Sequence, residues 1–587
     1  MKRLQDAESA DKQVWKLELP CEVVSLFRSF EQLCCYQRSN IFGLINEDER
    51  RLKLAANPRD GSHIQQRIEA YRSLFAPIRR LPAEILLEIF SYYLFGEIVP
   101  SKPWYLTKYT VFRPLRLAAV CSFWRHLVMS SPSLWTNATF EGRQYHHGRD
   151  IWIREKTAEA LCFWMDRVAA TPWNLTLVVS HEECERVPHS VPLPPLLRHA
   201  AVARLKQLRF KSDIESYDLR RLALPQLESL HMVRTSSISP VLEFRSSIPK
   251  LPHLTQLVLA NVLSSNSLLD HWPWEQLTHL YIEGVTAMKW FTIVRRCTSL
   301  QRACFILSEP DDRVDEGFIG GDMQGPPVSL PFITDLTLNE HILFGYPLRE
   351  FVAFPALRTL NIFQYWFGYP AWNQPALSTF GSITRLNVVG RRSVQFALTI
   401  QRVLEAAPML EEIKLDVITS NRVMFECFTL GSGGEGEEEK EKRPRLAHLK
   451  HLDIHCDLEL LHDPEGTVCY PFPTDQLVAM VKSRARKVLG GGTRSTGEED
   501  GVGSTRGTDR GGLLESLVVR FGDVEWFDDV DREVRCRLGL LEEEGWDLGF
   551  LTLEKEMRSA RSRTSSLLKE PRRYWDGERL GLYTPRR

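Results

Sequence analysis

The sequence predicts a mixed α/β chain, helical at its N-terminus and continuing as a long solenoid whose strands form one curved parallel sheet. Two observations carry this expectation. Apolar residues recur at helical spacing through much of the first 130 residues. From Leu205 onward the pattern Leu-x-x-Leu-x-Leu, or a close substitute, returns eleven times, at Leu205, Leu227, Leu254, Leu277, Leu300, Ile333, Leu357, Ile383, Leu410, Leu449 and Leu514. The steps are 22, 27, 23, 23, 33, 24, 26, 27, 39 and 65 residues. One copy says little, because the same spacing occurs in ordinary helices and strands. Eleven copies mostly in step mark an internal repeat.

Residues 1–75 read as a helical region. Ser62 is placed to cap a helix running through Ile64, Ile68 and Leu74 and ended by Pro77. Gly61, after Asn57-Pro58-Arg59-Asp60, is read as the break from an earlier helix.

Residues 76–140 form the next segment. Pro82 suits a first helical position, where its missing N–H costs nothing. Glu84 then lies in the first turn, where a negative charge favours the helix dipole. Leu81, Ile85 and Ile89 recur every four residues with Leu86 and Phe90 beside them, which reads as one broad apolar stripe. A second helix is expected through Leu117, Val120, Cys121, Trp124, Leu127 and Val128, with Arg116 and Arg125 off the stripe. Two such helices cannot bury this surface against each other; below roughly 70–80 residues a lone core rarely supplies more than about 3–5 kcal/mol. Something else must cover part of it.

The order of residues here, Leu81-Pro82-x-Glu84-Ile85-Leu86-x-Glu88-Ile89-Phe90 and then Leu117-x-x-Val120-Cys121-x-x-Trp124-Arg125, resembles the F-box family. The resemblance implies a segment that docks the small adaptor protein of an SCF-type ubiquitin ligase and, through it, the cullin scaffold. Carried over to matching positions, the adaptor-facing residues would be Leu81, Pro82, Ile85, Ile89, Val120, Cys121 and Trp124. The departure is the insert at 91–113, longer than the usual connection and containing Pro100-Ser101-Lys102-Pro103-Trp104-Tyr105. Similar inserts, followed by Pro-x-Leu-Trp as in Pro132-Ser133-Leu134-Trp135, occur in F-box proteins of mushroom-forming fungi.

Residues 150–552 carry the repeats. Leu280-Tyr281-Ile282 and Leu360-Asn361-Ile362 alternate as half-buried strands do, while 288–297 and 393–407 have helical patterning. Each unit would be one strand plus a helical or irregular return, unable to bury its own apolar face until neighbours stack. The steps of 22–27 match a leucine-rich-repeat period. The asparagine of regular repeats is mostly missing, so the array resembles the degenerate leucine-rich repeats that follow F-boxes in many proteins.

The two longest steps hold 431–445 (GSGGEGEEEKEKRPR) and 483–512, both expected to be disordered insertions. Phosphorylation of Thr493, Ser495, Thr496, Ser504 or Thr505 is a regulatory alternative to a plain solvated loop. A basic tail is expected over 553–587.

Composition narrows the function classes. Lys+Arg total 74 and Asp+Glu 75, a balance that calls for neither nucleic acid nor an anionic membrane. The opening residues lack an apolar core, so they do not read as a secretory signal, and no run of about 18 apolar residues predicts a span. Twelve scattered cysteines without a Cys-x-x-Cys fit reduced thiols in a cytoplasmic or nuclear protein. No phosphate-binding loop, nucleophile elbow or metalloprotease motif is present, and no cofactor is expected. His451, Asp453 and His455 alternate along one strand face, metal-capable spacing that fits a solvated strand better. The chain therefore reads as an adaptor rather than an enzyme, with a protein substrate as its second partner.

In such strands the leucines point into the core and the alternating residues take the other face. Those residues are Arg209, His231, Val258, Tyr281, Thr337, Asn361, Asn387, Lys414 and Asp453. With the aromatic run 363–372, they give candidate substrate contacts at Tyr281, Asn361, Tyr365, Trp366 and Asn387.

Overall fold

The computed structural model describes residues 19–29, 33–55, 57–95, 113–145, 151–168, 170–182, 190–192, 198–212, 223–234, 250–260, 272–307, 328–339, 352–363, 380–390, 403–404, 406–417, 425, 428–429, 446, 448–456, 473–487, 514–521 and 527–555. It divides into two units, Met1–Leu254 and Thr255–Arg587.

The first unit begins with three helices, α1 (Cys21–Ser29), α2 (Cys35–Leu54) and α3 (Pro58–Ser73). A capping box starts α2: the Cys34 sulfur accepts the Gln37 N–H, and the Gln37 amide oxygen accepts the Cys34 N–H at 2.9 Å. Val23, Ile41, Ile45, Ile68, Tyr71 and Leu74 close a core between the helices. Buried within it, Asp48 takes a two-pronged bond from Arg67 at 2.7 and 2.9 Å. The expected break at Gly61 is absent. α3 starts three residues earlier, with Pro58 in its first turn, and the Gly61 N–H bonds the Asn57 carbonyl at 3.1 Å. Ser62 therefore lies inside the helix and does not cap it.

Next come α4 (Ala83–Phe95), α5 (Arg113–Ala118) and α6 (Ser122–Ser130). The insert expected at 91–113 begins later, because α4 carries on through Phe95; residues 96–112 lie outside the described residues. The single second helix is in fact two. The chain breaks over Ala119–Cys121, and the extended Cys121 caps α6 by accepting the Trp124 N–H at 3.4 Å. Helical spacing alone could not show this, because Leu117, Val120 and Trp124 keep step across the break.

A short turn at Pro132–Trp135 leads into β1 (Asn137–Tyr145), β2 (Ile151–Arg154), α7 (Glu155–Val168), β3 (Trp173–Glu182), β4 (Ser190–Pro192), β5 (Leu205–Ser212) and β6 (Ser229–Arg234). Their order is β4-β2-β1-β3-β5-β6, parallel from β1 to β6, with antiparallel β2 and β4 beyond β1. The parallel ladder thus starts at Asn137, inside the expected helical segment and well before Leu205. Tryptophans seam α6 and α7 to the turn that leads into β1: Trp135 Nε1 donates to the Val128 carbonyl at 2.8 Å, and Trp164 Nε1 to the Trp135 carbonyl. The two rings meet edge-on at 4.9 Å. Leu134, Trp135 and Leu161 are almost fully buried.

The second unit is a ladder of β7 (Gln256–Ala260), β8 (His279–Val285), β9 (Arg302–Leu307), β10 (Val328–Ser329), β11 (Asp335–Asn339), β12 (Val352–Ala353), β13 (Thr359–Phe363), β14 (Arg385–Gly390), β15 (Glu412–Val417), β16 (His451–Cys456), β17 (Arg486–Lys487), β18 (Ser516–Phe521), β19 (Trp546–Asp547) and β20 (Leu551–Lys555). The main order is β7-β8-β9-β11-β13-β14-β15-β16-β18-β20, with adjacent strands parallel. β10 pairs with β12, and β17 with β19, in two small side sheets. Helix α8 (Ala287–Val294) overlaps the helical patterning expected at 288–297, whereas α9 (Thr474–Arg484) and α10 (Phe527–Glu543), between the last strands, were not expected from the sequence.

One backbone device repeats through this ladder. The residue opening many of the Leu-x-x-Leu copies donates back three residues: Ile333 to Leu330, Leu357 to Phe354, Ile383 to Phe380, Leu410 to Ala407, Leu449 to Leu446. The carbonyl that follows then accepts two N–H groups from the next unit. Thr334, for instance, accepts from Arg358 at 3.0 Å and Thr359 at 2.9 Å, and Glu411 from Lys450 at 2.9 Å and His451 at 3.0 Å. This fork sets the register before each strand begins, so steps of different length still stack leucine on leucine. Leu257, Leu280, Ala303, Leu336, Leu360, Leu386, Ile413, Leu452 and Leu517 form the resulting row, each at most 1% exposed.

The C-terminal boundaries shift. β20 runs to Lys555, so the expected tail at 553 starts too early, and residues 548–553 are a further Leu-x-x-Leu-x-Leu copy. The insertion expected from 483 also starts later. Arg484 is 1% exposed, donating Nε to the Phe428 carbonyl at 3.0 Å and Nη1 to the Leu446 carbonyl at 2.9 Å. Burial lowers its pKa to about 10. Residues 431–445 and 488–512 lie outside the described residues.

Candidate functional site

Helix α4 carries two apolar stripes rather than the one expected. Leu86, Phe90 and Leu94 are buried, at 0%, 0% and 8% exposure. Ile85, Ile89, Tyr92 and Tyr93 follow one another at i, i+4, i+7 and i+8, roughly a third of a turn away. They remain 42%, 42%, 79% and 47% exposed. The buried stripe meets α6, where Phe90 packs edge-on against Trp124 at 4.6 Å. The exposed one is four large apolar side chains on one short helix.

The seven residues carried over from the resemblance divide accordingly. Pro82, Ile85, Ile89 and Val120 are exposed, Val120 by 60%. Leu81, Cys121 and Trp124 are half-buried and have structural tasks as well. Cys121 caps α6, and Trp124 completes the contact with Phe90. Burial raises the Cys121 thiol above its usual range, opposed by the N–H groups of Trp124 and Phe123. Nearby, Arg79 donates to the Leu26 carbonyl of α1 at 3.3 Å, and burial lowers its pKa. Helix α1 also packs against α6, so the N-terminal helices cover part of the surface that two short helices could not.

The motif positions omit Ile78, Tyr92 and Tyr93, all exposed in the same segment. Their signal was present: Tyr92 and Tyr93 continue the spacing of Ile85 and Ile89 by one further turn.

The expected substrate face is more closed than alternation implied. Tyr281 and Asn361, both candidates, are 1% exposed and offer no open surface. Tyr281 donates its hydroxyl to Glu283 at 2.7 Å. Asn361 gives its amide N–H groups to Asp335 at 3.0 Å and to Thr337 at 3.1 Å. Val258, Cys304 and Thr337 in the same row are buried too. Alternation fixes which side a residue takes, not whether that side is open. Asn387 is half-buried, Asp453 likewise, and Lys414 is exposed. Tyr365 and Trp366 lie outside the described residues.

Among the described residues no three His, Cys, Asp or Glu side chains gather as a metal site. His451 instead approaches Glu515 at 3.8 Å, and Asp453 is held by Arg520. Nor does any described helix have the length and apolarity to cross a membrane.

Comparison with known proteins places this geometry in context. Residues 78–141, the segment carrying the exposed stripe, match the F-box-like family model. A search of curated proteins finds no match. Among solved structures, the chain is similar to one in the crystal structure of the mouse RP105/MD-1 complex, at 13% identity and a TM-score of 0.28. That match covers 72% of this chain and 64% of the other.

Proposed function

We propose that this chain is a substrate-receptor subunit of an SCF-type cullin ubiquitin ligase. F-box domains generally dock a small adaptor protein, and residues 78–141 match the F-box-like model. The observation that carries the reading is the stripe of Ile85, Ile89, Tyr92 and Tyr93, left open although a second apolar stripe of the same helix is fully buried. Scattered apolar residues on a surface need no explanation; a contiguous helical stripe marks an interaction face. In this reading the adaptor covers the stripe together with Pro82 and Val120, and links the chain to the cullin. The parallel-stranded array, a degenerate leucine-rich-repeat solenoid, recruits a protein substrate. Catalysis belongs to other subunits; this chain supplies proximity, raising the effective concentration of substrate lysines near the charged ubiquitin carrier. It works in the cytoplasm, the nucleus or both.

The test is co-expression of the full chain with the small cullin-adaptor protein. The wild-type chain is expected to co-purify with it in equal amounts. Ile85→Asp places a charge in the covered stripe and is expected to abolish the complex, since truncating a hot spot typically costs about 2 kcal/mol or more. Because Ile85 is open, the variant should melt at the wild-type temperature. A folded wild-type chain that fails to bind would instead favour a leucine-rich-repeat scaffold without ligase association.

A further inference from the structure

Two stacked phenylalanine rings reach the surface of the N-terminal helices. Phe42 on α2 is 53% exposed and lies on half-buried Phe75, with ring centroids 4.5 Å apart. The helical neighbours of Phe42 carry no charge: Ser39, Gly43 and Asn46, within a turn of it, are all exposed. Arg38, one turn back, donates Nε to the Leu33 carbonyl at 3.1 Å. Further along α2, Asp48 is paired with Arg67 and Glu49 with Arg72, both at 2.7 Å. The rings are thus an apolar spot in uncharged surroundings.

The spot leads into the open stripe of α4. From Phe75 the chain runs through a tight turn to Ile78, 36% exposed, and then to exposed Pro82. The Arg79 N–H bonds the Ala76 carbonyl at 2.9 Å and the Leu81 N–H bonds the Ile78 carbonyl at 3.4 Å, which keeps these residues close together. Open or half-open apolar side chains therefore recur every three or four residues from Phe75 to Tyr92, through Ile78, Pro82, Ile85 and Ile89. The N-terminal helices are tied to this segment. Arg79 donates to the Leu26 carbonyl of α1 at 3.3 Å, and α1 packs against α6. Phe42 and Phe75 nevertheless lie outside residues 78–141, the part that matches the F-box-like model.

We infer that Phe42, Phe75 and Ile78 form a second contact for the same small cullin-adaptor protein, continuing the α4 stripe onto the N-terminal helices. An apolar part of the adaptor covers them, because nothing beside Phe42 asks for a partner of opposite charge. Size argues against an independent occupant such as a second copy. A stable interface takes about 800 Å² from each partner. A large side chain buries roughly 150–250 Å² when wholly covered, and these three are partly covered already. As a continuation of the α4 stripe they need no such area of their own. This inference rests on the receptor reading proposed above and extends its docking surface beyond the family segment.

Hydroxyl-radical footprinting of the full wild-type chain, alone and with the adaptor, tests it without altering the fold. Phe42, Ile78 and Ile85 should all lose reactivity in the complex. In a titration with the adaptor, Phe42→Asp should bind roughly tenfold or more weakly than wild type, while Ile85→Asp should not bind. Phe42→Asp should melt close to the wild-type temperature, since half of the ring is already open. Protection of Ile85 without protection of Phe42 and Ile78 would overturn the inference and leave the docking assignment standing. A wild-type chain that neither binds the adaptor nor shows protection would remove both. A chain that sediments as a dimer, and as a monomer once Phe42→Asp is introduced, would give the spot to a second copy and overturn the inference as well.

Discussion

Trp124 and Ile85 illustrate how neighbouring residues of one motif carry different burdens. Both belong to the pattern shared with F-box proteins, yet Ile85 is open, while Trp124 is half-buried and packs on Phe90. Truncating Trp124 removes an aromatic contact and opens a gap over a fully buried ring. Trp124→Ala is therefore expected to cost about 3 kcal/mol, the low end for truncating a large aromatic because part of the ring is exposed. Chemical denaturation of the full chain checks this. Loss of adaptor binding in Trp124→Ala would then report instability as well as lost contact, whereas Ile85→Asp isolates the contact. Equal stability of Trp124→Ala and wild type would show that the Phe90 contact contributes little. The exposed half of the motif was legible in the sequence, because i, i+4 spacing marks a stripe whatever covers it. Which stripe is covered was not, since that depends on α1, α6 and Trp135 arriving from elsewhere in the chain.

At the scale of elements, helix α3 shows a local rule yielding to context. Glycine lowers helix propensity, and Gly61 followed by Ser62 reads naturally as a break and a cap. The helix runs through both, because Pro58 starts it and Ile68, Tyr71 and Leu74 anchor its far end in the core. A Cβ at position 61 would meet the Leu52 Cδ1 atom at 3.7 Å, ordinary van der Waals contact. Gly61→Ala should therefore stabilise the protein by roughly 0.5–1 kcal/mol, by lowering the entropy of the unfolded chain. A raised melting temperature checks it; a lowered one would mean that Leu52 cannot make way. The strands were easier to read than the helices. Leu-x-x-Leu-x-Leu is at once a strand alternation and a turn signal, and the structure adds its backbone cause, the fork of two N–H groups on one carbonyl. Where that pattern was diluted, as in Trp173-Asn174-Leu175-Thr176-Leu177 of β3, a parallel strand was missed. Helices α5 and α6 keep one apolar phase across a break, so periodicity merged them.

For the whole molecule, the decisive fact hidden from the sequence is that the second face of the ladder is buried over much of the second unit. A face closed on both sides makes polar residues inside it sensitive to conditions that charge them. His279, half-buried at the start of β8, is such a residue: partial burial first, and then the nearby Arg302 guanidinium, lower its pKa from the ordinary 6.5 to about 4. Its ring nitrogen lies 2.9 Å from the Thr278 hydroxyl. The folded chain therefore holds this imidazole neutral, while the unfolded chain protonates it below about pH 6.5. Between pH 6.5 and 4 the unfolded state binds more protons, so His279 contributes a loss of stability as pH falls through that window and none above it. The full difference sets a ceiling of about 3 kcal/mol, reached only near the lower end. His279→Gln keeps a polar group beside Thr278 and cannot titrate. Urea unfolding of both proteins at about pH 7.5 and about pH 4.5 should give similar midpoints at the higher pH and a variant more stable than wild type at the lower. If the two lose stability in parallel on acidification, His279 is not held neutral by the fold, and the closed face of the ladder does not govern its charge.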